Sequence, residues 1–421
     1  MTFEIEVYQN EYLSNGAREV NAVVTVTASG LAASTVDGAA AEVIIVDCSG
    51  SMEYPRAKMN AARQATAAAV DALRDGVAFA VVAGTDQAAV IYPPSGKLVA
   101  ADARSRAQAK AAVQRFAVGG GTAIGKWLSL AAQLFRGHEG ALRHAILLTD
   151  GRNEHELPAD LERVLAACEG QFVCDCRGVG TDWEVKELRK IATALLGTVD
   201  IVADPAGLAA DFTAMATSAM GKAVADVSLR LWTPQGAKVK FVKQVAPMVT
   251  DLTGKRTESG AQSGDYPIGS WGSESRDYHL CVEVNPGKVG EVMLAGRVSV
   301  VVGEVAAQGL VKATWTDDTA LSTRMSSEVA HYTGQAELAG VIQEGMEARR
   351  AGDIERATAK LGRAVKLATE SGNADTAALL AKVVDVVDPV TGTIRLRAKV
   401  SEADAMTLDT RSTKTSRVRK G

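Results

Sequence analysis

Polar and apolar positions change rhythm along this chain, and each change predicts a different kind of element. In residues 3–9 (FEIEVYQ) and 19–29 (EVNAVVTVTAS) they alternate, rich in Val and Thr, which predicts strands with one face buried. A Gly/Ala/Ser/Asp stretch, SGLAASTVDGAA, then links to a different pattern. From Ala41 to about Lys222, short continuous apolar runs alternate with helical segments. The runs are AEVIIVD, VAFAVVAG, RHAILLTDG, QFVCDCRGVG and TVDIVAD, and Ala-rich or amphipathic stretches such as RAKMNAARQATAAAVDALRDG lie between them. Strands that are apolar throughout are buried on both faces, so the segment predicts a doubly wound, mostly parallel α/β sheet covered by helices. Strand patterning returns from about Ala225 to Thr316, in DVSLRLWTP, AKVKFVKQV, DYHLCVEVN, EVMLAGRVSVVV and GLVKATWTD, separated by Gly, Pro, Asn and Asp turns. These strands predict an antiparallel sandwich that includes the N-terminal strands. The α/β domain is then an insertion within a discontinuous β-domain.

Beyond it the period becomes helical. Ile354, Ala357, Leu361, Ala364, Val365 and Ala368 fall on one face, and ADTAALLAKVVDVV follows as a further helix, together predicting a helical bundle. The expected boundaries are 1–38 for the N-terminal sandwich strands, 41–222 for the α/β domain, 223–320 for the rest of the sandwich, 325–390 for the bundle and 391–421 for a flexible tail. The tail expectation rests on composition: SEADAMTLDTRSTKTSRVRKG is polar, rich in Thr and Ser, and basic at its end.

A length of 421 residues suits two or three domains. The net charge of −4 gives no support for general nucleic-acid binding. The opening MTFEIEVYQN lacks the basic and apolar regions of a secretory signal, and no run approaches the roughly 18 apolar residues of a membrane span. Five scattered cysteines fit a reducing, cytoplasmic setting. Cys174 and Cys176, two apart on a strand, share one face and read as buried structural residues.

The chemistry concentrates where apolar strands end. IIVDCSGSM closes on Asp47, Ser49 and Ser51, at the sheet edge where open α/β folds bind ligands. Such a cluster suits a nucleophile, a phosphate cradle or a metal site. VGGGTAIGKW presents Thr122 after three glycines, and ILLTDGRNE presents Asp150 at another strand end. Taken together these are two carboxylates and three hydroxyls, a hard oxygen set that suits Mg²⁺, with Mn²⁺ and Ca²⁺ as alternatives. Because the hydroxyls are neutral, an acidic group from a partner would complete the coordination favourably. Taken singly, each residue is a common helix N-cap. The enzyme readings are thin: there is no Gly-x-Ser-x-Gly elbow and no phosphate loop, and Ser49 stands where an aspartyl phosphotransferase of the haloacid dehalogenase kind would carry its second Asp. A metal-dependent hydrolase is the remaining enzyme alternative, and no catalytic residue is assigned.

Asp-x-Ser-x-Ser, then Thr in a Gly-rich loop, then Asp at a later strand end resembles the von Willebrand factor A (VWA) domain over about Ala41 to Lys222. The set looks like a complete metal-ion-dependent adhesion site (MIDAS). RGVGTDW and DPAGLAADF also resemble that family's later strands and loops, and the whole chain resembles actinobacterial intracellular proteins of this type. The resemblance implies Mg²⁺ at Asp47, Ser49, Ser51, Thr122 and Asp150, ligation of a partner's Asp or Glu, and no catalysis. Gly121, Glu154 and His155 are candidates for the ligand-facing loops, with ordinary loop residues as the alternative. Cys48, between two candidate ligands, reads as a buried spacer or a redox-sensitive thiol. A scaffold reading adds the tail: Thr407, Thr410, Thr413 and Thr415 stand among Arg and Lys as candidate phosphosites, for a Ser/Thr kinase and a phosphothreonine-binding partner, with a merely solvated tail as the alternative.

Overall fold

The computed structural model describes residues 1–30 and 39–417. Most of the expected inter-domain linker and the last four residues of the tail therefore lie outside the described residues. The chain forms two compact units, Leu31–Ala225 with Gly269–Gly272, and Met1–Gly30 with Asp226–Ile268 and Ser273–Gly421.

The first of these is the α/β unit. Its sheet runs in the order Val199–Val202, Val173–Val179, Leu142–Thr149, Ala40–Asp47, Ala78–Gly84, Ala88–Tyr92, with Val99–Ala100 also pairing on Ala78–Gly84. The four pairings among the first five strands are parallel, and only the last strands run antiparallel. Every residue of Ala40–Asp47 is buried, as a central strand covered on both faces requires. One covering helix, Ala57–Ala72, packs Met59, Ala62, Ala65, Ala69 and Val70 against Ile44, Val46 and Ile146 in a single core. Small alanines allow that close approach. Asp47 ends its strand and Asp150 follows Leu142–Thr149, so both carboxylates stand at the carboxyl edge of the sheet.

The second unit holds two mostly antiparallel sheets that draw on both ends of the sequence, with Tyr12–Ser14 pairing parallel to Glu304–Thr316. Glu19–Ser29 lies between Thr2–Gln9 and Glu274–Glu283 in a five-stranded sheet, and Tyr12–Ser14 closes one edge of a six-stranded sheet beside Glu304–Thr316. Helices Ser327–Arg350, Ile354–Glu370 and Ala374–Val383 follow. The first packs Val329 and Tyr332 on Val23, Val245 and Ala246 of the sandwich. Gly345 lets the Ile354–Glu370 helix close in, since an added Cβ would stand 2.8 Å from Leu361.

The flexible-tail expectation is corrected here. Val384–Asp388 and Thr393–Leu396 form a hairpin across the expected boundary at 390, and Glu402–Arg411 is a helix. Ser401 caps that helix by accepting from the Asp404 amide at 3.1 Å, and Met406 and Leu408 are buried. Beyond the helix the chain pairs with the sandwich: the Val249 amide donates to the Thr413 carbonyl, and the Thr415 amide to that of Pro247. Composition missed this because backbone pairing and a few buried apolar side chains order a polar segment. The Ser-x-x-Asp cap was the legible signal.

Candidate metal centre

Three loops at the carboxyl edge assemble the site. The first continues from Asp47 into a short turn, Gly50–Glu53. The Gly-rich loop is tied to it by backbone hydrogen bonds, Gly119 N to Cys48 O at 2.9 Å and Gly50 N to Gly120 O at 3.1 Å. Gly120 has φ +76°, a conformation that favours glycine. The third loop follows Thr149.

Within this frame the five predicted oxygen donors come together. Ser51 Oγ donates to Asp150 Oδ1 at 2.6 Å and lies 2.9 Å from Ser49 Oγ. Around Gly151 the remaining members converge: a Cβ built there would stand 3.1 Å from Thr122 Oγ1, 3.2 Å from Ser51 Oγ and 3.7 Å from Asp47 Oδ2. Asp47, Ser49, Thr122 and Asp150 are buried, and Ser51 is exposed. Asp47 accepts from the Ser49 amide at 2.8 Å and from Thr149 Oγ1 at 2.5 Å. It forms no ion pair among the described residues. Burial raises its carboxyl pKa to about 6, against the opposing hydrogen bonds from Ser49 and Thr149.

Of the ligand-facing candidates, Gly121 and His155 act together. The Thr122 amide donates to His155 Nδ1 at 3.1 Å, and the His155 amide donates to the Thr122 carbonyl at 3.0 Å. A Cβ on Gly121 would overlap the imidazole at 2.2 Å, so glycine there is what admits the ring. Glu154 is exposed. Cys48 is fully buried and burial pushes its thiol up to about 12, which makes it a spacer and not a reactive thiolate.

Two further loop residues are supports: Asn153, which sequence reasoning passed over, and Glu156, which it read as ligand-facing or as an ordinary loop residue. Asn153 Oδ1 accepts from the Ile124 amide and Glu156 Oε1 from the Gly125 amide, both at 2.7 Å. They cap from another loop the helix Ile124–Leu134, whose own N-cap residue Ala123 supplies no side-chain cap. Lys58 was also passed over. Its Nζ donates to Asp150 Oδ2 at 2.7 Å and to Asp182 Oδ2 at 3.0 Å. The signal for it was a lysine in the first turn of a helix, where the backbone dipole disfavours a cation.

The Thr-rich tail is not an exposed array. Thr410 and Thr413 are buried, and the hydroxyls of Thr407 and Thr415 donate to the carbonyls of Ala403 and Val245.

Comparison with known proteins identifies the architecture. The von Willebrand factor type A domain family matches residues 41–201, and the von Willebrand factor type A C-terminal domain family matches residues 366–412. A solved von Willebrand factor type A protein from Catenulispora acidiphila is 55% identical, covering 99% of this chain and 97% of that one, with a TM-score of 0.95. The chain belongs to the von Willebrand factor type A domain proteins. The ArnB paralog VWA2 from Sulfolobus acidocaldarius shares the fold at 14% identity, covering 98% of each chain, with a TM-score of 0.61. An uncharacterized protein from Synechocystis is 29% identical over 219 residues, 50% of this chain, and this chain covers 49% of it, about half the length of that curated relative. VWA domains commonly act as metal-dependent protein-interaction modules. In this VWA protein no group of three or more His, Cys, Asp or Glu among the described residues is placed to hold a metal. The candidate set instead has two carboxylates and three hydroxyls. No helix among the described residues is long and apolar enough to cross a membrane.

Proposed function

We propose that this VWA protein is a metal-dependent binding module. Asp47, Ser49, Ser51, Thr122 and Asp150 hold a divalent cation, Mg²⁺ first with Mn²⁺ or Ca²⁺ as alternatives, and the ion takes an Asp or Glu carboxylate from a protein partner. The observation that carries this reading is the convergence of five oxygen-bearing side chains at one sheet edge around a buried Asp47 that pairs with no Lys, Arg or His among the described residues. A fully buried carboxylate is costly unless a positive charge compensates it. All the donors are hard oxygens, the chemistry Mg²⁺ prefers. Three of them are neutral, so a bound ion keeps positive charge for an incoming carboxylate. The sandwich and helical unit would add docking surface in an assembly. The phosphothreonine reading has no comparable support, because Thr410 and Thr413 would have to leave buried positions before modification.

The test is calorimetric titration of Mg²⁺ and Mn²⁺ into the chelator-treated full chain, alone and with an acidic peptide. Binding is expected in the wild type and is expected to disappear in Thr122→Ala, whose hydroxyl faces the Gly151 position. Absence of ion uptake by the wild type under both conditions overturns the proposal. Gly151→Ala gives a second check. Its methyl would stand 3.1 and 3.2 Å from two of the hydroxyls, and it is expected to weaken Mn²⁺ binding by at least about tenfold, roughly 1.4 kcal/mol, with unchanged circular dichroism. Undiminished affinity in that variant would place the ion elsewhere.

A further inference from the structure

The two carboxylates of the site are neutralised differently. Asp47 accepts hydrogen bonds from the Ser49 amide and the Thr149 hydroxyl and pairs with no cationic side chain among the described residues. Asp150, equally buried, divides its oxygens: Oδ1 accepts from Ser51 Oγ, and Oδ2 carries the Lys58 ammonium at 2.7 Å. The Lys58 side chain is only 8% exposed, so this cation is part of the site's interior and not a surface residue that happens to reach it. Its other partner, Asp182, is 67% exposed and lies on the loop after strand Val173–Val179. Gly180 in that loop packs near the end of the lysine, with its Cβ position 3.5 Å from Lys58 Cε.

We propose that Lys58 is a resident counter-cation that sets the divalent-ion affinity of the site, neutralising Asp150 when no ion is bound and repelling the ion when one arrives. This inference rests on the metal-site reading above. A divalent ion sharing Asp150 with an ammonium meets a like charge inside a water-poor loop, where salt screens little. The ion therefore binds more weakly than its carboxylates alone would allow. In return its charge is less spent. Asp47, Asp150, Asp182, Lys58 and a divalent ion together sum to zero, whereas the same set without the lysine is negative and would repel an acidic partner. Lys58 thus trades ion affinity for carboxylate capture.

A purely structural role for the salt bridge predicts the opposite direction, because losing it would loosen Asp150 and weaken the ion. The experiment is Mn²⁺ titration of the full chain, chelator-treated, for wild type, Lys58→Met and Lys58→Arg, with thermal melts in EDTA and in saturating Mn²⁺. Lys58→Met is expected to bind Mn²⁺ at least about tenfold more tightly, to melt below the wild type in EDTA, and to regain most of that difference in Mn²⁺. Lys58→Arg keeps the charge and is expected to stay near wild-type affinity. Binding by Lys58→Met that equals or falls below that of the wild type overturns the role of Lys58 and leaves the metal site standing. Binding by neither protein overturns the metal-site reading and this inference with it.

Discussion

Asp150→Ala is expected to lower the stability of the ion-free protein by about 3 kcal/mol, the lower end of the cost of breaking a buried ion pair, and to remove divalent-ion binding as well. The stability loss has a specific cause. Removing the carboxylate leaves the Lys58 ammonium, with its side chain 8% exposed, dependent on the largely solvated Asp182 alone. Ser51 loses its acceptor at the same time. For a unit of this size about 1 kcal/mol moves a melting midpoint by roughly 2–4 °C, so the shift is on the order of 10 °C. The double variant Lys58→Met/Asp150→Ala is expected to recover most of the loss, since removing both charges leaves neither buried alone. Thermal melts in EDTA of the wild type, both single variants and the double variant form the required cycle. A loss in the double variant equal to the sum of the two single losses would show that the pair is not coupled.

The second large effect lies at the opposite end of the same strands. His144 Nδ1 lies 2.9 Å from both carboxyl oxygens of Glu42, and Nε2 lies 3.1 Å from Asp175 Oδ2. Glu42 and His144 are direct partners in the parallel ladder, so the sheet itself sets this contact. Burial opposes a charge on the imidazole, but attraction to Glu42 and hydrogen bonds to Asp175 and Glu42 outweigh it and raise the pKa from 6.5 to about 10. Asp175 is correspondingly held below the ordinary carboxylate range, with His144 and Thr198 prevailing over burial. His144→Leu strands two carboxyl groups and is expected to cost about 3–5 kcal/mol at neutral pH. The sign of the pH dependence follows from the raised pKa. The folded state holds the His144 proton more tightly than the unfolded state, so its stabilisation is complete below about pH 6.5 and is lost as pH rises through about 10. Denaturation midpoints at pH 6, 8 and 10 should therefore converge between wild type and His144→Leu as pH rises. A gap that stays constant over that range would show that the imidazole is not the charged partner.

How far the site was legible depended on whether its residues announced themselves by local spacing. Asp47, Ser49 and Ser51 fall within five residues at the end of an apolar strand, and Thr122 follows consecutive glycines, so hard-oxygen chemistry at a sheet edge could be read directly. Lys58 could not be assigned from spacing, because its partners are 92 and 124 residues away. His155 was legible as a ligand-facing candidate, but that it fastens the Thr122 loop, and that Asn153 and Glu156 fasten the helix following it, was hidden for the same reason. Composition misled at the tail, where a polar segment is ordered by a capped helix and backbone pairing.

The sequence by itself determined the alternation of buried strands and helices, the insertion of the α/β unit between sandwich strands, and the candidate oxygen set, because periodicity and strand ends are local properties of a chain. Only the tertiary structure decided which charges meet. Among the described residues Asp47 pairs with no Lys, Arg or His, Asp150 receives Lys58, and Glu42 and Asp175 share His144. Strand order and register place His144 beside Glu42 and Asp175, and a helix packed on the sheet brings Lys58 to Asp150, joining residues 31 to 102 positions apart; at a buried site the presence or absence of one such partner governs the cost of each charge.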